Sequence, residues 1–267
     1  MTPSNLTRRA ALAGGAFAAI AGAARPARAR VVAKTFVLVA GAAGGGWQWR
    51  RVADLLERQS CKVFAPTLTG LGERSHLLSK DVGLDTHVTD IVNVVRWESL
   101  EAICLVAHSY AGWPCGAALD RLGDKVASVV WLDAFKPEDG RALIDLVAAS
   151  ARQTYDDAAA KGELAMPLAP RLSTAAVNPR DEAFVRAKLT PHPIATYLQT
   201  LRYGGGLERI AKKTYVRLPD FPNPSFDGAY AACKADPSWS TVEFADCGHY
   251  AMFDAPERLA ALLLKAG

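Results

Sequence analysis

Short, continuously apolar runs alternate along the chain with longer segments whose apolar residues recur at helical spacing. The run "KTFVLVA" (34–40) has the uninterrupted apolar character of a strand covered on both faces. A glycine-rich turn follows, and the spacing then predicts a helix over about 47–58. "KVFAP" (62–66) reads as a short strand stopped by Pro66. "LDTHVTDIVNVVRWES" (84–99) puts its apolar residues on one helix face, with Asp85 or Thr86 placed to cap it. "EAICLVA" (101–107) is a third strand, a helix runs on to about Arg121, and "VASVVWLDAF" (126–135) is a fourth strand.

The rhythm breaks from about Lys136 to Ile210, where the pattern is helical and irregular and prolines stand at 167, 170, 179, 191 and 193. This stretch, about 136–210, reads as an inserted helical cap. The rhythm resumes with "KTYVRL" (213–218), a helix near 227–235, "STVEFA" (240–245) and a last helix "APERLAALLLKA" (255–266). Repeated strand–helix units predict an α/β fold, with a mostly parallel sheet and helices on both of its faces. At 267 residues, half of them hydrophobic, the chain suits one large domain, with no internal repeat.

Charge changes the picture at one end. The formal net charge is +4, but the first 29 residues hold Arg8, Arg9, Arg25 and Arg28 and no acid, so the rest is neutral. The body therefore carries no basic signature of a nucleic-acid partner. The leader places a twin arginine before a mildly apolar stretch, Ala10 to Ala24, and then Ala27-Arg28-Ala29, a small-x-small cleavage site. This resembles a Tat-type export signal over residues 1–29, preceding a domain over 30–267 and giving a periplasmic or secreted protein. The alternative is an anchoring helix, but the stretch falls short of the ~20 residues that a span needs. No later segment is long and apolar enough to span a membrane.

Five cysteines (Cys61, Cys104, Cys115, Cys233, Cys247) leave at least one unpaired, and none has C-x-x-C spacing. An oxidising compartment permits a disulfide, while the alternative is that they are small buried hydrophobes. No H-E-x-x-H pattern is present, so no metal is implied.

The chemistry concentrates in "AHSYAG" (107–112). It follows a buried strand and precedes a helix, the setting of the G-x-S-x-G turn that holds a nucleophilic serine at the end of a sheet. Ala107 and Ala111 replace the two glycines, each adding one methyl where strand and helix pass closely. The alternative is that Ser109 caps the helix. A serine nucleophile needs a base late in the chain. Of the five histidines, His249 follows a late strand, in the loop "DCGHYAMF" (246–253). His76 lies in a polar loop, His87 on a helix, His108 beside the serine, and His192 in the cap, within possible reach of substrate.

"FVLVAGAAGGGWQWRRVADLL", "FAPTLTGLGERSHLL", "THVTDIVNVV", "VAHSYAG", "VVWLDAFKPEDG" and "CGHYAMFDAPERLA" together resemble the α/β-hydrolase superfamily. They are closest to the branch of plant methylesterases, hydroxynitrile lyases and bacterial esterases of the pyrethroid-hydrolase type. The likeness runs from about Thr35 to Leu264 and is weakest through the cap. It implies Ser109 as nucleophile, His249 as base, and an oxyanion hole of backbone N–H groups from Ala42 and Tyr110. The family usually opens the loop around Ala42 with His-Gly, where this chain has Ala40-Gly41.

The carboxylate is open between two residues. Asp133 ends the strand "VVWLDA", and some α/β-hydrolases carry their acid there. Asp220, in "LPDFPNP", lies near the family's usual place, but one residue early and between Pro219 and Pro222. Register favours Asp133, with Asp220 the alternative and Asp227 a third candidate.

The resemblance implies hydrolysis of a carboxylic ester through an acyl-enzyme, with a small-molecule ester as partner and no cofactor. Trp47, Trp49 and Tyr110 suggest an apolar acyl or alcohol group, although the tryptophans fit a helix core equally well. A rival is a catalytically weakened ligand-binding homologue. A more remote one is a hydroxynitrile-lyase-type enzyme, which in the family carries a lysine after the catalytic histidine; this chain has Tyr250 there. For the leader, replacing Arg8 and Arg9 by Lys is expected to leave the precursor in the cytoplasm. N-terminal sequencing of the exported protein should begin near Arg30, and export unaffected by the double change would exclude a Tat route.

Overall fold

The computed structural model describes residues 33–147, 149–166 and 178–267. The segment expected as an export leader, 1–29, and part of the stretch expected as a cap lie outside the described residues. Six parallel strands form the central sheet: β1 (Thr35–Val39), β2 (Lys62–Phe64), β3 (Ile103–His108), β4 (Val126–Leu132), β7 (Lys212–Arg217) and β8 (Trp239–Glu243). Their order is β2-β1-β3-β4-β7-β8, so β3 lies inside the sheet between β1 and β4. Between β4 and β7 a two-residue antiparallel pair joins β5 (Ala165–Met166) to β6 (His192–Pro193).

Alternation along β1 shows how the sheet is covered. Phe36 and Leu38 face a layer made by α1 (Arg50–Glu57) and α8 (Pro256–Ala266), where Val52, Leu56, Leu259 and Leu263 are buried. Val37 and Val39 face the other layer, with Val88, Ile91 and Val92 of α2 (Leu84–Trp97) and Trp113 of α3 (Gly112–Leu122). Successive strand side chains point to opposite faces, so a strand apolar at every position must be covered twice. Helix α7 (Pro224–Ala235) adds Phe226 to the second layer.

The stretch between β4 and β7, expected as a cap, includes among its described residues α4 (Ala149–Ala160), α5 (Pro179–Lys188) and the single turn α6 (Ala195–Leu198). Asn178 caps α5, its side-chain oxygen accepting from the Asp181 N–H. The chain closes on the core here too: Arg51 of α1 donates to both carboxylate oxygens of the buried Asp181, at 2.8 and 2.5 Å.

Three sequence expectations shift. The segment 46–49 is a tight 3-10 turn before α1 rather than its first turn. The cap of α2 is Gly83, whose N–H donates to Thr86 Oγ1 at 3.2 Å, while Asp85 accepts from Gln199 Nε2. Helix α7 begins three residues earlier than its apolar spacing suggests, because Asn223 caps it and Pro224 suits its first turn. All five cysteines are free thiols, Cys61 half-buried and the others buried. Among the described residues no helix is long and apolar enough to cross a membrane.

Gly112 marks the tightest approach between α3 and the sheet. A Cβ there would collide with the Phe135 carbonyl oxygen and lie 2.8 Å from Trp131 Nε1, two atoms already hydrogen-bonded to each other at 3.0 Å. Gly112→Ala is therefore expected to destabilise the protein by about 1–3 kcal/mol, as overpacking of a filled core does. Chemical denaturation checks this, and an unchanged midpoint would show that the strand-end loop can yield.

Candidate active site

Strand β3 is buried over its whole length and delivers Ser109 at its C-terminal end. Ser109 has φ 56°, in the left-handed region that a residue with a Cβ enters only under constraint. The constraint comes from both sides. The Ser109 carbonyl accepts from the Phe135 N–H at 3.2 Å, and Gly41 of the β1 loop lies so close that an added Cβ would be 2.8 Å from Ser109 Cβ. A short 3-10 turn, Ser109–Ala111, leads into α3. Ala107 and Ala111 are fully buried, so their two methyls are accommodated within the core.

His249 arrives on the loop after β8. Gly248 N–H donates to Asp254 at 2.8 Å, Cys247 N–H donates to Asp220 at 3.2 Å, and His108 Nε2 meets the His249 carbonyl at 2.9 Å. The imidazole is buried and lies parallel to the Phe221 ring, centroids 4.3 Å apart, with Phe226 at 5.5 Å. Its Nδ1 is 2.7 Å from Asp133 Oδ2. A carboxylate can only accept, so a proton sits on Nδ1, and Nε2 is the nitrogen that carries the lone pair whenever the ring is neutral.

Asp133, also fully buried, leaves the end of β4 at φ 45°. Its N–H donates to the Val216 carbonyl at 2.7 Å, which fixes the turn. Its second oxygen accepts from Arg217 at 2.6 Å and from the Leu218 N–H at 3.2 Å. Arg217 goes on to donate to Asp227 Oδ1 at 2.9 and 2.7 Å and to the Leu218 and Phe221 carbonyls at 2.6 and 3.1 Å. Burial opposes the guanidinium charge, yet Asp133 and Asp227 together hold its pKa above the ordinary arginine value.

The three candidate carboxylates thus take different places. Asp133 meets His249. Asp220 is exposed and braces the histidine loop through Cys247, and Asp227 holds the far side of Arg217.

A cavity of about 500 Å³ is lined by Ala42, Ser109 and His249 together with Phe135, Tyr155, Tyr197, Phe221 and Phe226. It brings the serine, the histidine and the β1 loop to one space, and among the described residues no side chain with a permanent charge lines it. Trp47 and Trp49 do not line it. Trp49 is core, and Trp47 packs against Phe184 and Phe253. The Tyr110 side chain is buried in the α2 layer, its hydroxyl 2.8 Å from His87 Nδ1. His192, too, is buried away from the cavity lining, with Nδ1 accepting from the Ala43 N–H. Among the described residues no cluster of three His, Cys, Asp or Glu groups could hold a metal ion.

Sequence reasoning passed over Arg217, although an arginine inside the apolar run "KTYVRL" signals a buried partner. It also passed over Phe221 and Phe226 as walls for the histidine, a role that no local pattern reveals.

The profile of the alpha/beta hydrolase family matches residues 36–262. The chain belongs to the alpha/beta hydrolase family. A carbendazim hydrolyzing esterase of Nocardioides sp. (strain SG-4G) is 35% identical over 87% of this chain and 99% of its own length. Putative methylesterase 15 of Arabidopsis thaliana is 22% identical over 87% of this chain, which spans 56% of that protein. Among solved structures, an extracellular alpha/beta-hydrolase from a Paenibacillus species superposes with a TM-score of 0.77 at 20% identity, over 88% of this chain and 99% of its own. The chain is an esterase-type member of the family.

The buried histidines make a testable demand on acid stability. Burial pushes His87 down to about 4, opposed in part by the Thr69 carbonyl that its Nε2 meets at 2.9 Å. Burial and the neighbouring His249 lower His108, and burial and His87 lower His192. Each therefore binds a proton in the unfolded chain, near pH 6.5, that the folded chain refuses, so stability falls as pH drops from about 6.5 toward 4. Calorimetry near pH 5 is expected to show uptake of up to about three protons on unfolding from these residues. A melting temperature flat across that range would refute it.

Proposed function

We propose that the protein is a serine esterase that works through an acyl-enzyme. The observation that carries this reading is the 2.7 Å contact between His249 Nδ1 and the buried Asp133, with His249 and the strained Ser109 lining one cavity. Asp133 holds the imidazole in the tautomer whose Nε2 is free to take a proton. Ser109 Oγ attacks the ester carbonyl as His249 Nε2 takes its proton, and the carbonyl oxygen becomes an oxyanion. Backbone N–H groups of Ala42 and Tyr110 stabilise that charge, aided by the amino end of α3. Collapse expels the alcohol, which receives the proton from His249. Water then enters by the same route in reverse roles, releasing the acid and restoring Ser109.

The cavity favours a neutral ester with a flat or apolar group, since Phe135, Tyr155, Tyr197, Phe221 and Phe226 form much of its wall. The similarity to the carbendazim hydrolyzing esterase of Nocardioides makes carbendazim a reasoned test substrate. The leader adds export by a Tat-type signal to a periplasmic or extracellular site.

Ser109→Ala is expected to lower kcat on p-nitrophenyl esters by several orders of magnitude without loss of fold, with His249→Ala falling to a similar level. A fluorophosphonate probe should label wild type at Ser109 alone. Asp133→Asn should lose far more kcat/KM than Asp220→Asn, because an amide can hold the histidine in the wrong tautomer. Activity surviving in Ser109→Ala within about tenfold would overturn the nucleophile. The reverse order of the two aspartates would overturn the acid. Absent labelling and turnover would leave a ligand-binding homologue.

A further inference from the structure

We propose that His192, from the cap segment, is the positioning residue of the oxyanion loop. The inference rests on the serine-esterase reading above and names what sets that site's geometry. The loop after β1 is a four-residue turn, Gly41 to Gly44, closed by the Gly44 N–H donating to the Gly41 carbonyl at 3.3 Å. Of its two central residues only Ala43 has positive φ, at 62°. A turn with positive φ only at its third residue is of type II, and that position favours glycine. This chain places an alanine there.

The intrinsic preference of such a sequence is for the central peptide, between Ala42 and Ala43, to flip over and give the type I turn with negative φ at Ala43. Two contacts from the cap segment oppose that flip. The Ala43 N–H, which belongs to the central peptide, donates to His192 Nδ1 at 3.0 Å. The Ala43 carbonyl accepts from the Thr190 N–H at 3.0 Å. The Ala42 N–H lies in the preceding peptide, which such a flip leaves unturned; it depends on the two contacts through the place of the loop, because they tie the residue next to Ala42 to the cap segment.

His192 is suited to this role. A backbone N–H can only donate, so Nδ1 must carry a lone pair and the proton must sit on Nε2. Nε2 is 3.0 Å from Thr196 Oγ1, whose own hydroxyl donates to the Pro193 carbonyl at 2.7 Å. Thr196 therefore accepts from His192 and fixes its tautomer. Both side chains are buried, and burial keeps the imidazole neutral as the acceptor role requires. The Tyr110 ring, on the residue after the nucleophile, packs edge-on to His192 with centroids 4.5 Å apart. One side chain thus contacts both segments from which the oxyanion donors come.

The test compares His192→Leu, His192→Asn and Thr196→Val with wild type, using p-nitrophenyl butyrate and a trifluoromethyl ketone. The ketone adds to the nucleophilic serine and leaves an oxyanion in the hole. Leu removes the acceptor, whereas Asn offers Oδ1 at about the distance from Cβ that Nδ1 has. His192→Leu is expected to lower kcat by about 10- to 100-fold, below or at the low end of losing one oxyanion donor outright, with KM within about twofold. Its affinity for the ketone should fall by a similar factor. His192→Asn should restore kcat to within about threefold of wild type, and Thr196→Val should lower it severalfold with little change in melting temperature.

A folded His192→Leu with wild-type kcat overturns the proposal, as does an Asn variant as impaired as Leu. If His192→Leu does not fold, wild-type kcat in Thr196→Val overturns it instead. Ser109→Ala run alongside separates the two levels: turnover surviving there sinks the serine mechanism itself, whatever His192 does.

Discussion

Everything at the candidate site depends on how a buried carboxylate is kept charged. Asp133 has no access to water, and an isolated charge in that position would be prohibitively costly. Its oxygens instead receive three donors: His249 on one side, and Arg217 and the Leu218 N–H on the other. Arg217 is itself buried, and Asp227 at the surface balances it. The chain of charges alternates from the protein's interior to its edge, so no member stands alone. Because β4 and β7 are neighbours in the sheet, the aspartate at the end of one and the arginine at the end of the other meet without a long loop.

That arrangement explains why the fold and the site were legible to different depths. Apolar runs such as "FVLV" and "CLVA" could only be strands covered on both faces, and the alternation of strand and helix then dictates a parallel sheet. Ser109 stood out because small residues, Ala107 and Ala111, stand two positions to either side and it lies between a strand and a helix. His249 stood out by its place late in the chain. Both signals are local. The partner of His249 was legible only as a choice between aspartates, since side-chain reach across 116 residues is not encoded in any spacing. Phe221 and Phe226, which wall in the imidazole, gave no signal at all, for they resemble ordinary core residues until the loop is folded.

The cap of α2 shows a different limit. Asp85 and Thr86 have the chemistry of a cap, yet Gly83 occupies that place and Thr86 reaches back to it. Gln199 of the cap region draws Asp85 away into a tertiary contact. Local propensity was overridden by a partner more than a hundred residues distant, in the same way that the strained turn at Ala43 is held by Thr190 and His192. In both cases the region between β4 and β7 decides how the loops at the carboxyl edge of the sheet are set.

The ring of Phe221 limits where the partner of His249 can be placed. It lies flat against the imidazole, one residue beyond Asp220, whose carboxylate is held by the Cys247 N–H instead. A carboxylate substituted at position 221 would remove that wall while Asp133 still held the histidine, leaving two acids competing for one nitrogen. Loss of Asp133 first would leave the buried Arg217 paired with one carboxylate, Asp227 at the surface. Moving the carboxylate from the end of β4 to the loop after β7 therefore takes at least two linked changes, since either one alone leaves a charge or a wall of the histidine unmatched.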